Sequence, residues 1–156
     1  MVQRLMALGN TDPKLREHAL LYLFAYAFLL RVPSEAVLAT REGNLRGVSI
    51  EGDYIILTLA KRKNKLQGSR LVRGCWCAEC RETCPYHNLK GWVESKAIGE
   101  RLFPNVTPKS ALNTLRSMLR SLNVPDAKLY RTHDLRRGHA KDLQISGLSE
   151  GASRIM

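Results

Sequence analysis

The longest apolar stretch of the chain runs from Ala19 to Leu30. At roughly a dozen residues it falls short of the ~20 needed to cross a bilayer, so it predicts a helix buried in a core and no membrane span. Thr11-Asp12-Pro13 marks the start of that helix, a capping side chain followed by a proline whose fixed φ suits a first turn. Pro33 pushes Val32 away from helical angles and ends the helix near Leu30. Arg31 then sits at a corner between helices, with Ser34 placed to cap a second short helix from Ala36 to Thr40.

Strand-like patterning follows. Val48-Ser49-Ile50 and Tyr54-Ile55-Ile56-Leu57-Thr58-Leu59 flank Glu51-Gly52-Asp53 and predict an antiparallel hairpin. Leu71-Val72-Arg73 offers a third strand, and the stretch from Leu89 to Ala97 a helix. Thr107-Pro108 opens another, in which Leu112, Leu115, Met118, Leu119 and Leu122 recur at helical spacing and Arg116 and Arg120 form a polar face. Val124-Pro125 ends it. Thr132 is placed to cap a later helix from His133 to about Ile145, with Gly147 as its stop and one more helix beginning at Ser149. No repeat or Gly/Ser-rich linker divides the chain. The expected fold is a single mainly α domain over residues 1–156 with a small antiparallel β-sheet, in the α+β class.

Composition narrows the partner. The 156 residues are 44% hydrophobic and 25% charged, as in an ordinary globular domain, but the formal net charge is +11. Such a charge favours a polyanion, nucleic acid first and an acidic membrane surface second. The N-terminus lacks the apolar region and cleavage site of a secretory signal, which points to a reducing, intracellular setting with thiols free or metal-bound.

All four cysteines fall between positions 75 and 84, in Cys75-Trp76-Cys77, Cys80 and Cys84-Pro85-Tyr86-His87. Thiolates and one imidazole can close a tetrahedral zinc site, a structural clip within a Cys-rich segment at about 74–88. Cys75, Cys77, Cys84 and His87 are the preferred ligands, with Cys80 as the alternative. Reduced cysteines without metal and disulfides stay open as readings of the same cluster.

Near the C-terminus the chain reads Thr132-His133-Asp134-Leu135-Arg136-Arg137-Gly138-His139-Ala140. On a helix His133 and Arg136 lie one turn apart, where a guanidinium can fork onto a phosphate and an imidazole can add a hydrogen bond or move a proton. A solvated basic helix end is the bland reading of such a motif. Arg31, with Glu35 four residues on, and Lys63, in the basic run Lys61-Arg62-Lys63-Asn64-Lys65 after the hairpin, complete an ordered set. Lys61 and Lys65 compete with Lys63, and a solvated loop competes with all three.

This order resembles the catalytic domain of the tyrosine recombinases, or phage-type integrases. Phe28-Leu29-Leu30-Arg31-Val32-Pro33-Ser34-Glu35 looks like that family's first arginine box, and the His133 segment like its second, H-x-L-R box. The Cys-bearing segment and the wording of both boxes are similar to the integrases of fungal crypton-type mobile elements. The resemblance implies double-stranded DNA as partner, a nuclear location, oligomerisation on DNA, and metal-free strand cleavage and rejoining. Arg31 and Arg136 would stabilise charge on the phosphate, Lys63 would protonate the leaving 5′ oxygen, and His133 would assist. Glu35 would buttress Arg31, and Arg62, Lys65, Arg137 and His139 would hold DNA beside them. The family's tyrosine nucleophile lies downstream of the second box, whereas the tyrosines here, Tyr22, Tyr26, Tyr54, Tyr86 and Tyr130, all precede His133. The expectation is therefore a catalytic domain incomplete at both ends, able to grip a scissile phosphate but not to cut alone. A non-enzymatic zinc-clipped DNA-binding module and a protein-interaction domain with a merely basic surface are the competing readings.

Overall fold

The computed structural model describes residues 1–43, 46–59 and 69–135. Its centre is α2 (Arg16–Phe28), whose residues from Leu20 to Ala25 are all at most 1% exposed. A helix apolar around its whole circumference must be wrapped on every side. α1 (Val2–Thr11) supplies one of those sides, burying Val2, Leu5, Met6 and Gly9. That i, i+3, i+4, i+7 spacing is a helix signal, and the helix adds to the elements expected from the sequence. Asp12 does act as a cap, accepting from the Lys14 amide at 3.0 Å, but on a single 3-10 turn over Pro13–Leu15 that leads into α2.

α2 ends one residue earlier than Leu29, which takes the left-handed conformation (φ 56°, ψ 46°) while Leu30 donates back to the Ala25 carbonyl at 2.9 Å. Glycine is the usual residue at such a stop; here the burial of Leu30 at 1% exposure holds a leucine there. The expected short helix from Ala36 to Thr40 does not form. Residues Val32–Ala36 make one wide turn in which Ala36 and Val37 donate to the Arg31 and Val32 carbonyls, five residues back. Thr40–Arg41 is instead a short strand, β1.

The sheet is mixed and four-stranded in the order β1-β2-β3-β4, not purely antiparallel. β2 (Arg46–Glu51) and β3 (Tyr54–Leu59) form the expected hairpin, with Glu51 opposite Tyr54 and Gly52 at φ 58° in the turn. β4 (Ser69–Arg73) pairs antiparallel with β3, and β1 adds to β2 in parallel. On its other side β1 is covered by residues 99–102, where Arg41 donates to the Glu100 carbonyl at 2.9 Å and Leu102 to that of Ala39 at 3.0 Å. α3 (Pro85–Glu94) packs on β2 and β3, and α2 against β4.

α4 (Pro108–Ser121) starts with a complete capping box: Thr107 Oγ1 accepts from the Ser110 amide and Ser110 Oγ from the Thr107 amide. It buries Ala111, Leu115, Met118 and Leu119 against α2, and the Tyr22 hydroxyl donates to the Ala111 carbonyl at 2.6 Å. Residues 133–135 are helical, as expected of the segment that follows Thr132; the brace is the Asp134 carboxylate, which accepts from the Arg131 amide at 2.8 Å. Residues 136–145 of that expected helix, and the one from Ser149, lie outside the described residues. Among the described residues no helix is long and apolar enough to cross a membrane.

Where α1 meets α2, a Cβ on Gly9 would collide with Cβ of Ala19. Gly9→Ala gains up to ~1 kcal/mol of helix propensity, but overpacking costs ~1–3 kcal/mol. The variant is expected to be less stable by about 1 kcal/mol, measured as a lower denaturant midpoint at unchanged slope.

Candidate functional site

Two arrangements carry chemistry. The first is a cleft of about 400 Å³ between the corner after α2, the face of α4 and the segment before Leu135. Arg31, Arg116, Arg131 and His133 line it, with Val32, Pro33 and Leu112 as its apolar wall. Arg31 and His133, 102 positions apart, thus share one cavity. Each stands on a braced main chain: Glu35 Oε1 accepts from the Arg31 amide at 3.0 Å, and Asp134 serves Arg131 in the same way. Glu35 therefore does steady the Arg31 corner, through the backbone.

The end of α2 that presents Arg31 is held from the sheet side by Arg73. This side chain is 3% exposed; its Nε donates to the Ala27 carbonyl at 2.7 Å, and its guanidinium lies 5.2 Å from the Phe28 ring centroid. Burial without a carboxylate pushes its pKa down to about 10. A cation at a helix C-terminus is favourably placed against the helix dipole.

Lys63 and Arg136, together with the expected DNA contacts Arg62, Lys65, Arg137 and His139, lie outside the described residues. Arg116 and Arg131 were not anticipated in the site. Arg116 belongs to the expected polar face of α4, yet it is half-buried and its Nε donates to the Tyr130 carbonyl at 2.9 Å. Its position one turn after Leu112 was the available signal. None of the five tyrosines lines the cleft; Tyr22 is buried, and the Tyr86 hydroxyl donates to the Gly52 carbonyl at 3.0 Å.

The second arrangement joins β4 to α3. Cys75 and Cys77 follow β4, Cys84 is the N-cap of α3, and His87 lies three residues into it. The three sulfurs and one ring nitrogen all fall within 4.8 Å of one another. His87 Nδ1 is 3.2 Å from Cys77 Sγ and 3.4 Å from Cys84 Sγ. Two amides aim at sulfur, Cys77 N–H at Cys75 and Trp76 N–H at Cys84, both at 3.4 Å. The Trp76 indole donates to the Thr83 carbonyl and closes the loop on itself.

These donors fit a metal ion. Amide donation suits thiolate sulfur, and the N-cap position of Cys84 adds the helix dipole. The Cys77 amide lowers the Cys75 pKa, whereas the Cys77 thiol, hydrogen-bonded to Cys75, is pushed up to about 12. A cation bound by these thiolates would displace their protons. Cys80 stands apart, with its sulfur 3.4 Å from Glu82 Oε2, so the cluster consists of the preferred four ligands and not the alternative.

Comparison with protein-family models, with curated proteins and with solved structures finds no match for this chain.

Cobalt(II) titration checks the ligand set. Cys84→Ser and His87→Ala are expected to abolish the ligand-field absorption of one tetrahedral equivalent, and Cys80→Ser to leave it as in the unsubstituted protein.

Proposed function

We propose that this chain is a DNA-handling domain of tyrosine-recombinase type that grips a phosphodiester in the Arg31–His133 cleft. The observation that carries the reading is the meeting of Arg31 and His133, read from two separate sequence boxes, in one basic cavity. The net charge of +11 supplies the long-range attraction to a duplex.

In-line attack on a phosphodiester builds negative charge on the non-bridging oxygens. Arg31 takes that charge through a fork of N–H donors and needs no metal to do so, and Arg136 is its expected partner. His133 is exposed and so reaches the substrate, where its imidazole donates a hydrogen bond or accepts a proton near neutral pH. Lys63 is the expected general acid. The sequence has no tyrosine after Tyr130, and strand cleavage is assigned to no group of this chain. Its residues bind and polarise the phosphate.

Cys75, Cys77, Cys84 and His87 would hold zinc, which supplies folding energy and no open coordination position. The same cluster favours the second reading, a zinc-clipped module that binds duplex DNA without cutting it. The two readings part in a protein carrying a supplied nucleophile segment: a covalent DNA adduct belongs to the recombinase reading alone.

Fluorescence anisotropy with duplex DNA tests the first proposal. Binding is expected to fall steeply with salt through counterion release. Arg31→Ala and His133→Ala should each weaken it, Arg31→Ala by about tenfold or more for the loss of a charged hydrogen bond. Affinity unchanged in both variants would reject the cleft as the phosphate site. For the metal, native mass spectrometry should give one zinc per chain, and its removal by chelator should lower the unfolding temperature.

A further inference from the structure

The cleft is larger than one phosphate requires. Its volume of about 400 Å³ is several times that of a phosphate group, whose bulk is on the order of two or three waters at ~30 Å³ each. Among the described residues its lining includes no carboxylate. Asp134, the acid nearest to Arg131 in sequence, accepts from the Arg131 amide. Arg131 is exposed, immediately after the carbonyl that Arg116 grips, so Arg116 fixes the main chain from which Arg131 projects. Val32, Pro33 and Leu112 provide an apolar wall, a surface suited to the carbon face of a sugar and not to free phosphate.

Building on the phosphate-cleft reading, we infer that Arg131 holds a second phosphate of the same strand, next to the one taken by Arg31 and His133. The apolar wall receives the sugar between them, and Arg116 acts as the positioning residue behind Arg131. The ligand is thus a stretch of sugar–phosphate backbone read without regard to base sequence. Phosphate contacts of this kind orient a duplex without specifying it.

The experiment measures affinity against salt for two short duplexes of unrelated sequence, using Arg131→Ala, Arg131→Lys and, as a control outside the cleft, Arg120→Ala. A contact to one phosphate contributes ~0.9 to the slope of log K on log salt. Arg131→Ala should lower that slope by about one and weaken both duplexes by the same factor, while Arg131→Lys keeps the slope. Arg120→Ala should leave the slope as it is. The Arg131 side chain makes no bond within the described residues, and the Arg131 amide keeps its bond to Asp134, so Arg131→Ala is expected to fold; circular dichroism checks this. An unchanged slope in Arg131→Ala, a loss confined to one sequence, or an equal loss in Arg120→Ala would overturn the second-phosphate site. If Arg31→Ala still weakens binding in those cases, the cleft reading survives alone. If the unsubstituted protein binds neither duplex, both fall together.

Discussion

The burial of α2 on all sides is the constraint from which the rest of the structure follows. Residues Leu20 to Ala25 are apolar around the full helical circumference, and leaving any face open would expose side chains worth ~1.5–3 kcal/mol each on burial. α1 covers one face through the close approach of Gly9 to Ala19, α4 another, and the sheet with α3 the remainder. The cleft is a by-product of that wrapping. The chain leaves α2 at Leu29, and the corner that begins with Arg31 emerges beside α4 and the segment before Leu135, because both are packed on the same central helix.

Polar anchoring refines what the apolar core places. Arg73, Arg116, Glu35 and Asp134 each satisfy main-chain groups near the cleft: the carbonyls of Ala27 and Tyr130, and the amides of Arg31 and Arg131. Asp134 thus faces a backbone donor, and Arg73 and Arg116 face backbone acceptors.

The Cys3His cluster adjoins the same core through β4 and α3, the elements that flank it. One residue, Gly74, separates Arg73, locked under α2, from Cys75 at the mouth of the cluster, and Tyr86 ties the start of α3 to the hairpin turn. The irregular run from residue 74 to 84 has few backbone partners of its own. A metal ion held by the three sulfurs and the imidazole would add to the hydrogen bonds that shape that run.

Local patterns in the sequence determined α2, the β2–β3 hairpin, the third antiparallel strand, the opening of α4 at Thr107-Pro108 and the clustering of the cysteines with His87. Each rests on residues within one or two turns of one another: a proline after a capping side chain, alternation around Gly52, cysteines within ten positions. The pairing of β1, the wide turn at Val32–Ala36 and the left-handed Leu29 were decided only in three dimensions. A two-residue strand has no periodicity to read, and Leu29 is held by the burial of Leu30, not by its own preference. The same holds within the sites. Exclusion of Cys80 depends on which way a loop turns after Trp76, and the entry of Arg116 and Arg131 into the cleft depends on α4 packing beside α2. Such contacts join residues far apart in the chain through the core, and no local spacing records them.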